Sequence, residues 1–105
     1  MFDIKEKTQY CFSQSVRVLK YVYRGQYLEA LYAYNEYVLY SLVKFLRGIY
    51  TPEYTNFKLL HISQHLPKEH MDKLIYFGQI SSLDDIEVKT KEAKIWFDEL
   101  LKEYN

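Results

Sequence analysis

YLEALYAYNEYVLYSLVKFLRG, residues Tyr27–Gly48, decides the fold. Leu28, Leu31, Leu39, Leu42 and Leu46 fall within one arc at about 100° per residue. Val38 and Phe45 extend one edge of the arc, and Tyr32 and Val43 the other. This is the stripe of an amphipathic helix over Tyr27–Arg47, with Gly48 as its stop. Upstream, Ile4, Thr8, Cys11, Ser15, Val18 and Val22 recur at alternating gaps of four and three, and Leu19 widens the stripe. They predict a second helix over Asp3–Arg24, ended by Gly25. So short a connection forces the two into an antiparallel hairpin.

Downstream, Thr51–Asn56 reads as a loop, with Pro52 as breaker and Asn56 as a helix cap. Short helices follow at Phe57–Leu66 and Lys68–Phe77, punctuated by Pro67 and Gly78. Ser82, with Asp84 and Asp85 behind it, opens a last helix running to about Tyr104. Its face is Leu83, Ile86, Thr90, Ala93, Phe97, Leu100, Leu101 and Tyr104. The expected fold is all-α: an up-and-down helical bundle of three long and two short helices, forming one domain over residues 1–105.

Composition narrows the function. The 14 basic and 14 acidic residues cancel, which argues against a general polyanion binder. No apolar stretch approaches the ~20 residues of a membrane span, and MFDIKEKTQ carries no apolar signal region. Cys11 is the single cysteine, which excludes an internal disulfide and a cysteine-rich metal site. The expectation is a cytoplasmic protein with no membrane contact. Gly25, Gly48 and Gly78 are isolated, so no phosphate-cradling loop exists, and no nucleophile elbow, Cys-x-x-Cys or His-Glu-x-x-His occurs. The chain alone lacks the elements of a nucleotidyl- or phosphoryl-transfer catalyst, and no cofactor is expected.

Several side chains stand out. Asn35 falls near the centre of the second helix's arc, where its amide needs partners: Ser15 or Thr8 across the hairpin, or a ligand. Glu36, Tyr40 and Arg47 share one flank, since eleven residues are close to three turns. Glu36 suits a cationic or hydroxylated ligand and Arg47 a phosphate, unless the flank is simply solvated. His61 and His65 are spaced i,i+4 with His70 nearby, a pattern open to cleft lining, metal binding or plain surface. Tyr34, Tyr37, Tyr40 and Tyr23 lie off the arcs, and Ile95 and Val88 lie opposite the last helix's face with Trp96 on its shoulder. Together Tyr34, Tyr37, Ile95 and Trp96 predict an exposed interface, most simply that of a homodimer.

RGIYTPEYTNFKLLHISQHLP, Arg47–Pro67, resembles the C-terminal helical domain of small nucleotidyltransferases related to aminoglycoside-modifying enzymes, and more broadly HEPN-type bundles. The matching elements are Tyr50, Pro52, Lys58, Leu66 and Pro67. The resemblance implies a bundle that shapes the substrate side of a cleft whose catalytic carboxylates sit on a separate αβ domain. Glu36 is matched to the family's helical carboxylate. The implied function is a non-catalytic substrate- or partner-binding domain using Asn35, Glu36, Tyr40, Arg47, Lys58 and His61. Its partners would be a second copy or a nucleotidyltransferase catalytic domain or subunit, with a small molecule or nucleotide as ligand. The competing expectations are a HEPN-like ribonuclease or toxin–antitoxin component, and a structural oligomerising bundle. HEPN ribonucleases place a His a few residues after an Arg, whereas His61 follows Arg47 by fourteen residues.

Overall fold

Residues 2–51, 53 and 66–103 are described by the computed structural model, and no strand occurs among them. Helix α1 spans Phe2–Ser13, α2 Val16–Tyr23, α3 Tyr27–Ala33, α4 Tyr40–Tyr50, α5 Lys68–Gly78 and α6 Leu83–Glu103. A π-helical segment, Tyr34–Leu39, joins α3 to α4 without a break. The all-α bundle expected from the sequence is what forms. Helix α2 packs on α3 and α1 on α4, so the first half is the expected antiparallel hairpin. Helix α6 returns against α2, α3 and the π segment, and α5 rests on the π segment. Phe12, Val18, Val38, Leu42, Phe45, Leu46, Ile86, Ala93, Phe97 and Leu100 are buried between these layers. Phe97 is the hub: Phe12 stacks on it at 4.6 Å between centroids, and Phe45 meets it edge-on at 5.5 Å.

The hairpin turn follows from Gly25, which takes φ 72°, a left-handed conformation that side chains with a Cβ rarely adopt. There the Gln26 N–H donates to the Tyr21 carbonyl and the Gly25 N–H to the Val22 carbonyl, both at 3.0 Å. These are the two bonds of a Schellman stop.

The first long helix is instead two helices. Ser13 Oγ donates to the Tyr10 carbonyl at 2.5 Å, and the Ser15 N–H bonds three residues back to Phe12. Arg17 and Val18 likewise bond three residues back, to Gln14 and Ser15. The Ser-Gln-Ser cluster competes with the α-helical ladder and tightens the chain at this point.

The π segment explains the other departures. An inserted residue turns the helix by about 100° relative to a uniform one. The apolar arc read over Tyr27–Arg47 therefore holds after the segment and only in part before it, where Leu31 is half-buried against the core. Leu28 and Tyr32, placed on the arc, are 72% and 68% exposed, whereas Ala30, Ala33 and Tyr34 are buried. Gly48 does not stop the helix. It lies buried inside α4, which ends at Tyr50, and Thr51 precedes Pro52, whose ring disfavours helical geometry in the residue before it.

Helix α6 begins as the sequence predicts. The Asp85 N–H donates to Ser82 Oγ at 3.1 Å, while the Asp85 carboxylate accepts from the Ser81 N–H at 3.0 Å and the Ser81 hydroxyl at 2.5 Å. The Ser81 hydroxyl, and then its N–H, hold the Asp85 carboxyl below its ordinary range. Ser82→Ala should lower stability by about 1 kcal/mol in thermal melts at neutral pH. A folded-state pKa below the unfolded value gives stabilisation that is present above about pH 4 and lost as pH falls further. Asp85→Asn should therefore flatten the acid limb of the melting profile, and an unchanged acid limb would contradict this reading of the cap.

Candidate functional site

Helices α5 and α6 lie side by side, and a groove of about 410 Å³ opens between them. Helix α5 contributes Asp72, Lys73, Tyr76 and Phe77, and α6 contributes Glu92, Ile95, Trp96 and Glu99. The α6 spacing of three, one and three places its four side chains on one face. A smaller recess of about 160 Å³ continues the groove past Lys73, Trp96 and Glu99 to Glu69, His70 and Glu103.

The floor is aromatic. Phe77 stacks on Trp96 at 5.7 Å with the planes 15° apart, and Tyr76 meets Phe77 edge-on at 5.1 Å. His70 is buried 6.0 Å from Trp96, and its Nε2 lies 3.1 Å from the Tyr50 hydroxyl in a hydrogen bond whose direction follows the imidazole tautomer. The end of α4 is thus tied to the base of the groove. The Tyr34 hydroxyl donates to the Phe77 carbonyl at 2.6 Å, anchoring the floor to the π segment. Lys89 closes the turn between α5 and α6: its ammonium donates to the Gln79 carbonyl and sits 4.5 Å over the Tyr76 ring.

The rim is acidic. Glu69, Asp72, Glu92, Glu99 and Glu103 line the groove and its recess, and among the described lining residues only Lys73 brings an ammonium against them. The Tyr76 hydroxyl donates to Glu92 Oε1 at 2.5 Å; this bond, with desolvation and the Glu92 charge, pushes the phenol above its ordinary pKa. Asp72 and Glu99 have no ion-pair or hydrogen-bond partner among the described residues. Lys73 Nζ lies 5.1 Å over the Trp96 ring, a cation–π arrangement. An aromatic floor between unpaired carboxylates attracts cations.

A second groove, of about 470 Å³, lies between the α1–α2 junction and α6. Its two ammonium groups are already paired, Lys91 with Glu87 at 3.2 Å and Lys94 with Asp98 at 3.8 Å.

The residues singled out in the sequence lie elsewhere. Asn35 and Tyr40 are half-buried, Glu36 is exposed and Arg47 is fully buried, where desolvation lowers the guanidinium pKa. They do not share a flank, because Glu36 lies within the π segment and Arg47 beyond it. None of the four lines either groove. Lys58, His61 and His65 lie outside the described residues. The exposed aromatic surface also needs correction. Tyr34 and Trp96 are core residues and Tyr37 is half-buried against the core, while Ile95 is 62% exposed. The π insertion turns Tyr34 inward, and α5 covers the Trp96 shoulder of α6.

Sequence reasoning missed Asp72, Tyr76 and Glu99. The available signals were the i,i+4 pair Asp72–Tyr76 and the heptad pair Glu92–Glu99 flanking the only tryptophan. Among the described residues, no three His, Cys, Asp or Glu side chains gather to hold a metal, and no helix is long and apolar enough to cross a membrane. No family model, curated protein or solved structure matches the chain.

Proposed function

We propose that this chain is a non-catalytic, partner- or substrate-binding helical domain that works with a nucleotidyltransferase, and that the α5–α6 groove is its binding surface. The observation that carries the reading is the groove itself: an aromatic floor under a rim of carboxylates, shaped to hold a partner or substrate. The likeness at Arg47–Pro67 supplies the nucleotidyl-transfer setting, and Tyr50 of that motif meets His70 at the base of the groove. The partner in this reading is a catalytic domain or subunit rather than a second copy, because two acidic rims facing one another would repel.

Co-expression of the full chain with a nucleotidyltransferase catalytic subunit that lacks a helical domain of its own tests this. The expected result is a stable complex whose KM for the acceptor is lower than that of the catalytic subunit alone. A chain that neither co-purifies with that subunit nor alters transfer would overturn the proposal.

A further inference from the structure

Taking the α5–α6 groove as the binding surface, we infer that it docks a basic amphipathic segment of a partner protein, one of whose cations displaces Lys73 from the face of Trp96. Three observations carry this. First, among the described residues that line the groove and its recess, carboxylates outnumber ammonium groups five to one. Second, they are strung out rather than gathered: Glu92 and Glu103 are eleven residues apart on α6, about 16 Å along the helix. A single small cation neutralises one end of such a strip, whereas a peptide with Lys or Arg on successive turns follows its length. Exposed Ile95 gives the peptide's apolar side a place to pack. Third, Lys73 already shows where the incoming cation goes. Its ammonium rests over Trp96 without a carboxylate within ion-pair distance among the described residues, so few contacts oppose its departure.

Trp96 is the only tryptophan, so its fluorescence reports directly on the groove. The probes are a synthetic Leu/Lys amphipathic helical peptide, the same peptide with Glu for Lys, and spermidine, each titrated into the full chain. The Leu/Lys peptide should shift Trp96 emission saturably, with binding weakened by added salt, and the Glu peptide should not. Lys73→Met removes the internal competitor and one repulsive charge, and should tighten binding about threefold or more. Asp72→Asn with Glu99→Gln should weaken it about tenfold. Unchanged melting temperatures would confirm that these surface variants remain folded. Spermidine saturating at the same or lower concentration would overturn the inference in favour of a small-cation site. So would unchanged or weaker binding by Lys73→Met, or indifference to the double carboxylate change. If those results appear while the nucleotidyltransferase complex still forms, the association with nucleotidyl transfer stands, and the groove's docking of a basic segment fails. If the peptide binds as expected while no such complex forms, the groove's chemistry stands and its assignment to nucleotidyl transfer fails.

Discussion

Tyr34→Ala should lower stability by about 3–5 kcal/mol, a large part of the 5–15 kcal/mol that holds a domain of this size folded. The Tyr34 side chain has no exposed surface. Its ring fills the space between the π segment and α5, and its hydroxyl satisfies the Phe77 carbonyl. That carbonyl lies in the last turn of α5, where the helix itself provides no donor. Tyr34→Phe keeps the packing and removes only the hydroxyl, so its expected cost is about 1–2 kcal/mol. The two variants separate burial from hydrogen bonding in denaturant titrations at neutral pH. Alkaline melts add a third measurement. Burial pushes the phenol well above its ordinary pKa of about 10, so the folded state holds this proton more tightly than the unfolded chain. The resulting stabilisation is complete below about pH 10 and fades as pH rises beyond it. Tyr34→Phe should accordingly show a shallower alkaline decline than the unmodified chain. Equal slopes would mean that the hydroxyl ionises freely and is not confined as described.

Local signals carried the fold. Gly25 stops α2 by a backbone geometry that other residues rarely adopt, and Ser82 with Asp85 starts α6 through bonds spanning a few residues. Both can be read from neighbouring letters. The arc through Leu39, Leu42 and Leu46 was legible for the same reason, since one uninterrupted turn geometry governs it. What failed was the assumption that this geometry extends back to Tyr27. A π insertion has no residue signature of its own, yet it rotates everything before it, which is why Leu28 faces solvent and Tyr34 does not. Gly48 shows tertiary context overriding propensity: surrounded by buried neighbours, it remains helical. The groove was hidden for a different reason. Tyr76 and Glu92 meet across sixteen positions only because α5 and α6 pack side by side, and the sequence around each reads as an ordinary helix surface. The acidic and aromatic letters were visible, but their convergence depends on the turn that Lys89 closes.

Trp96→Ser should lower stability by about 3–5 kcal/mol, and the melting temperature by roughly 15–30 °C, rather than leave the fold intact and weaken association. From sequence alone Trp96 looked like a shoulder residue available to a partner. In the fold it is 5% exposed, with Phe77 of α5 stacked on it and His70 of α5 beside it. Deleting the indole therefore leaves a cavity beneath the groove and loosens α5. Tyr37→Ser, at a half-buried position, should cost less. Trp96→Phe retains a ring against Phe77 and should lose only about 1.5 kcal/mol. The contrast between the two Trp96 variants distinguishes packing from recognition. A core role requires Ser to be far worse than Phe in calorimetry of the chain alone, with no partner present. A Trp96→Ser variant that melts near the unmodified temperature would mean that α5 does not depend on the indole, and the groove would then lack the rigid aromatic floor on which its cation binding rests.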